Sequence, residues 1–223
     1  MLSRTTLALT AAVSIALAMT ATACTPPKAD ISAASEDPAP HPRAMADKYK
    51  RNPAPKQRYD ITMTVANAPG PFGSVEGFAQ YEAPDCWYTL DRIAGVPAIP
   101  HVTLPVSYTK VDDTTYVGTV YLDVMQDEDY FGRGICKWVL TSARVSLKAT
   151  GTREEASFTA YVHLDDFANK KPVTTYFQKE FYPLVTEIRD ASIQGRTERS
   201  KISPGISDKD LFTITLAPQE VQP

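Results

Sequence analysis

Residues 59–67 read YDITMTVAN, and their alternation decides the fold. Tyr59, Ile61, Met63 and Val65 share one face of an extended chain, and Asp60, Thr62 and Thr64 share the other. A period of two marks a strand with one face buried and one wet. The same period returns along the chain. SVEGFAQYEA (74–83) makes a second strand, ended by the turn-prone APD (83–85). HVTLPVSYTKV (101–111) sets Val102, Leu104, Val106 and Tyr108 inward, and Pro105 marks an edge strand or a bulge because proline cannot donate to a ladder. After the turn DDT (112–114), TYVGTVYLDV (115–124) places Tyr116, Gly118, Val120, Leu122 and Val124 together, so the two segments read as a hairpin. In ICKWVLTSARVSLKATG (135–151), Cys136, Trp138 and Leu140 have one parity and Ala143, Val145 and Leu147 the other. That phase change predicts a bulge near Thr141. ASFTAYVHL (156–164), with Phe158, Ala160, Val162 and Leu164 inward, follows the charged turn TREE (152–155) as a second hairpin. PVTTYFQKEFYPLV (172–185) is aromatic and β-prone, and LFTITLAP (211–218) closes the series with Phe212, Ile214 and Leu216 on one parity. Only LDDFANKK (164–171) and SDKDL (207–211) offer weak helical patterns. About seven to nine short strands with turns between them predict an all-β fold, an antiparallel β-sandwich or a partly open barrel.

Upstream of these strands the composition changes. The chain opens with MLSR, an apolar run TLALTAAVSIALAMT (6–20) and small residues ending in ATAC (21–24). An apolar run this short behind a positive residue reads as a secretory leader rather than a membrane span. The small residues before Cys24 resemble the lipobox of bacterial lipoproteins, with Ala21 where that pattern favours leucine. The resemblance implies cleavage after residue 23 and acylation of Cys24; an ordinary signal peptide cut nearby is the alternative. Thr25 stands where aspartate would resemble an inner-membrane retention signal, which favours the periplasmic face of the outer membrane. Residues 24–57, crowded with Pro, Ala and charge, lack a periodic apolar face and read as a disordered tether. At about 5–6 Å times the square root of its length, a flexible stretch of roughly 34 residues spans about 30 Å. The expected organisation is a leader (1–23), a tether (24–57) and one β domain (58–223).

Charge and cysteines narrow the chemistry. Loss of Arg4 with the leader takes the formal net charge from −3 to −4, and no basic patch points to nucleic acid. No second apolar run spans a bilayer, so the expected membrane contact is the lipid alone. Cys86 and Cys136 remain once Cys24 is assigned, and an isolated pair in an oxidising periplasm predicts a disulfide. His41, His101 and His163 are the only histidines. His163 precedes Asp165 and Asp166, yet strand parity turns it outward with Thr159 and Tyr161, as a surface histidine beside a turn. No nucleophile-elbow, zinc-protease or phosphate-loop motif occurs. No catalytic residue, metal or cofactor is expected.

One segment carries an unusual concentration of functional residue types: QDEDYFGRGIC (126–136). Asp123, Asp127 and Asp129 partly match the oxygens of a calcium loop, but no Glu follows at the required place. Adjacent acids on one loop diverge, unlike the paired carboxylates of a glycosidase. Two readings stay open. In one, Gly132 and Gly134 allow a sharp connection, the acids are solvated and Tyr130 or Phe131 packs over the disulfide. In the other, Asp127, Glu128, Asp129, Tyr130, Phe131 and Arg133 meet a protein partner.

The stretch YVGTVYLDVMQDEDYFGRGICKWVLTSARVSLKATG (116–151), together with DCWY (85–88), resembles small β-rich lipoproteins of Gram-negative bacteria, among which a strand, an acidic DEDYFG turn and a C-x-W strand recur with an upstream cysteine. Members often resemble immunity lipoproteins encoded beside secreted antibacterial effectors. The resemblance implies a protein that binds and neutralises a periplasmic effector, without catalysis of its own. An envelope accessory or assembly lipoprotein is the alternative, and a hydrolase with a concealed site the third reading.

Overall fold

The computed structural model describes residues 48–91 and 95–222. The leader, Cys24 and the tether through Asp47 lie outside the described residues. One five-stranded sheet runs in the order β10 (Val173–Gln178), β12 (Leu211–Glu220), β1 (Arg58–Ala66), β7 (Thr115–Tyr121) and β6 (Tyr108–Lys110). The second runs β11 (Ser192–Gln194), β9 (Ser157–His163), β8 (Val139–Lys148), β2 (Ser74–Glu82) and β5 (His101–Val106). A small hairpin pairs β3 (Tyr88–Asp91) with β4 (Val96–Ala98). Every pairing is antiparallel except β11 with β9. The fold is an antiparallel β-sandwich, and neither sheet closes into a barrel.

Alternation explains the core. Ile61, Met63 and Val65 of β1, and Phe212, Ile214 and Leu216 of β12, point across to Val145 and Leu147 of β8 and to Phe158, Ala160 and Val162 of β9; all are buried. One end of the sandwich is aromatic, with Phe158 edge-on to Phe212 at 5.0 Å and to Phe177 at 5.5 Å. The predicted bulge is present: Gln80 pairs with Ser142 and Tyr81 with Leu140, so Thr141 is skipped and its hydroxyl donates to the Gln80 carbonyl at 3.2 Å.

Two expectations change. Segment 101–111 does not form one hairpin strand. Its first part, β5, is the edge of the second sheet against β2, and Tyr108–Lys110 cross to the first sheet as β6. The crossing is built around Tyr108, whose ring lies against Gly77 and Gly118; a Cβ on Gly77 would stand 2.6 Å from that ring. Alternation alone carries no signal for a change of sheet, because Val102, Leu104 and Val106 stay inward throughout. The second change is at the N-terminal boundary. The folded domain includes residues 48–57, assigned from composition to the tether: Tyr49 is 6% exposed in the core, and Arg51 bridges to Met125.

The helix patterns yield one α-helix, α1 (Leu164–Ala168), and a 3-10 turn at Asp208–Asp210. Phe167 of α1 is buried edge-on to Tyr59 at 5.5 Å.

Candidate functional site at the disulfide end

The chain must cross from β7 in one sheet to β8 in the other, and residues 122–138 form the arch that does so. Cys136 at its far foot is bonded to Cys86, with Cα atoms 5.4 Å apart, as the cysteine pattern predicts. Closing a loop of 50 residues restricts the unfolded chain by roughly 4 kcal/mol in the entropy account. An antiparallel bridge between Glu128 and Cys136 narrows the arch to a ribbon.

The acids of the arch each have a local task. Asp123 accepts hydrogen bonds from the Lys56 amide (2.9 Å) and the Gln57 amide (3.0 Å), fixing the N-terminal segment. Asp127 accepts from the Trp138 amide at 2.9 Å and pairs with Lys137 at 2.8 Å. Burial pushes its carboxyl up, but those donors outweigh it and hold it below the usual range. Glu128 pairs with Lys50 at 2.6 Å. Asp129 accepts from the Arg133, Gly134 and Phe131 amides, and the Arg133 amide leads in lowering its carboxyl. That cradle requires the chain to double back, which Gly132 (φ 68°) and Gly134 (φ 116°) permit in a region that resists side chains. Among the described residues no three His, Cys, Asp or Glu side chains stand together as metal ligands, and Asp123, Asp127 and Asp129 are engaged separately.

Tyr130 turns inward. Its hydroxyl donates to the Gln126 carbonyl at 2.7 Å and accepts from the Lys50 amide at 3.2 Å, and its ring is edge-on to Tyr49 at 5.2 Å. Tyr49 in turn lies edge-on to Trp138 at 5.0 Å. Burial first, and Tyr88 and Tyr130 next, push the Tyr49 hydroxyl up to about 12. Phe131 is half-buried, stacked on Tyr88 at 5.5 Å with the Lys48 ammonium 4.0 Å above its ring. Arg133 extends to the surface, its guanidinium 4.6 Å above the ring of Trp87.

The six predicted contact residues are therefore together on one arch, divided between bracing and presentation. Asp127, Glu128, Asp129 and Tyr130 brace it, Phe131 is half-buried between Tyr88 and Lys48, and Arg133 faces outward. Sequence reasoning missed Trp87, 53% exposed, and Ile135, 60% exposed, which flank the two cysteines. The signal for both was adjacency: each is next in sequence to a disulfide cysteine, so the bridge that joins Cys86 and Cys136 also gathers their neighbours. It also missed Tyr49, hidden in charged and proline-rich surroundings.

A cleft of about 470 Å³ opens beside the arch between Gln57, Gln126, Met125, Trp138 and Leu164. His163 is exposed with its ring parallel to Tyr161, and the Asp166 carboxylate accepts from the His163 backbone amide at 2.9 Å, so these residues start α1. Comparison of the chain with protein-family models, with curated proteins and with solved structures finds no match. The resemblance to β-rich lipoproteins rests on the motifs quoted above.

Proposed function

We propose that this protein is a lipid-anchored periplasmic protein of the outer membrane whose disulfide end binds another protein, and that the partner is an antibacterial effector it neutralises. The observation that carries the binding reading is the exposed Trp87–Arg133 pair, formed where the disulfide ties the segment of Cys86 to the arch that also bears the exposed Ile135. Tryptophan and arginine dominate interface energetics because one buries a large ring and the other adds directional donors. Bracing lowers the freedom lost on association. Asp127 and Glu128 are paired with Lys137 and Lys50, which weakens their expected part in steering a basic partner, whereas Asp129, held by neutral amides, keeps its charge; recognition then centres on Trp87, Phe131, Arg133 and Ile135. Acylation of Cys24 and the immunity role rest on the sequence resemblances.

The test is protection. A candidate effector encoded beside this gene is directed to the periplasm of cells that carry or lack the protein. Wild type restores growth, and Trp87→Ala with Arg133→Ala, at equal abundance and thermal stability, does not. Protection by the double variant equal to wild type contradicts the surface, and no protection by wild type against any neighbouring effector contradicts the immunity role.

A further inference from the structure

The segment Lys48–Asn52 is joined to the arch by an isolated β-bridge and the backbone hydrogen bonds on either side of it. The Lys50 carbonyl accepts from the Gln126 amide at 3.0 Å, the Asn52 amide donates to the Val124 carbonyl at 2.9 Å, and Arg51 bridges Met125 in antiparallel sense. Immediately before these contacts Tyr49 is seated against Tyr130 and Trp138. Its fit is incomplete. Tyr49 Oη and Trp138 Nε1 are both buried, and neither has a hydrogen-bond partner among the described residues. An unpaired buried polar group loses its hydration without compensation. The segment is also held by the Lys50 amide, which donates to the Tyr130 hydroxyl at 3.2 Å, by the Asn52 side-chain amide, which donates to the Asp123 carbonyl at 2.8 Å, and by an ion pair between Lys50 and Glu128, which contributes little at a wet surface.

We propose that the seat of Tyr49 is a peptide-binding groove of this domain, filled in the free protein by its own Lys48–Asn52 segment and open to an extended partner segment bearing an aromatic anchor. Backbone pairing with Val124–Gln126 gives such a segment its direction, as strand addition does elsewhere. An anchor with an acceptor within reach of Trp138 Nε1 would satisfy a donor that Tyr49 leaves unpaired. Lys48 stands over Phe131, so displacement of the segment also alters the surface proposed above. The inference deepens that binding reading and rests on it for its biological use, but its test needs no effector.

The probe is a labelled synthetic peptide of residues 48–57, KYKRNPAPKQ, offered to the full mature chain. In wild type the tethered copy competes at an effective concentration of order millimolar, so micromolar peptide does not bind. Tyr49→Ala vacates the seat, and peptide binding, read by anisotropy and by the emission of Trp138, strengthens at least tenfold, on the order of that competition. The same peptide with alanine for tyrosine does not bind. Tyr49→Phe, which keeps the ring and removes the unpaired hydroxyl, melts at the wild-type temperature or above. The proposal is overturned if Tyr49→Ala loses the sandwich itself, if the folded variant does not bind the peptide, if the alanine peptide binds as well, or if Tyr49→Phe is clearly less stable. Failure of this assay leaves the Trp87–Arg133 reading untouched, because neither side chain takes part in it.

Discussion

Asp129 and Glu155 solve the same local problem at different turns. Each gathers the amides of a tight turn onto one carboxylate. Glu155 is 1% exposed and accepts from the Thr150 amide and hydroxyl, the Gly151 amide and the Ala149 amide. Burial pushes its carboxyl up, but the Thr150 hydroxyl and the three turn amides outweigh it and hold the group below the ordinary range. A carboxyl depressed in the folded state stabilises fully above its ordinary value, near 4, and loses that contribution as pH falls through the depressed one. Acid melts should therefore show stability falling below about pH 4, with a shallower decline in Glu155→Gln. At neutral pH that variant should lose about 1.5–3 kcal/mol, the range for hydrogen bonds to a charged group, read by denaturant unfolding. In Asp129→Asn, hydrogen exchange should quicken at the Phe131, Arg133 and Gly134 amides while strand amides keep their protection. Neither role was legible in sequence. TREE and QDED both look like solvated charge, and only closure of the turn shows which carboxylate the amides reach.

Among the elements, legibility followed alternation. The strand of 59–67, the hairpin of β8 and β9 and the bulge at Thr141 could all be read because each alters or preserves a period of two. The passage of 101–110 between sheets keeps its inward parity and so leaves no trace. The same limit hid the three-residue β11, whose parallel pairing with β9 depends on the long segment before it. The N-terminal bridge was obscured by composition, since Pro53 and Pro55 sit beside the residues that pair. A chain begun at Arg58 should therefore melt below one begun at Lys48, with Trp138 emission shifted to the red by the loss of Tyr49. Replacing both Cys86 and Cys136 by alanine should cost about 2–5 kcal/mol, measured by denaturant unfolding, and exchange should quicken most in the arch. An unchanged midpoint would mean that the arch is braced by its hydrogen bonds alone.

For the whole molecule, the sandwich is a scaffold and the arch is where the residues proposed to bind a partner collect. The all-β class was legible because nearly every strand has one wet face. The disulfide end was legible only in part, because the groups that fill it come from three distant segments, 48–57, 83–88 and 122–138, brought together by the disulfide and the Arg51–Met125 bridge. Among the described residues no helix is long and apolar enough to cross a membrane, and the proposed anchor makes its own prediction: labelled palmitate enters the wild type and not Cys24→Ser. The central claim, that the disulfide end is a protein-binding surface, is tested most directly by photocrosslinking in living cells of the native host. A photoreactive phenylalanine analogue is placed at Trp87 in one strain and, as a control away from the arch, at the exposed Val185 in another. The account predicts one discrete, ultraviolet-dependent adduct to a single identifiable protein from position 87, lost on Arg133→Glu, and none from position 185. Adducts from position 185 alone, or an adduct from position 87 that Arg133→Glu leaves unchanged, would contradict it.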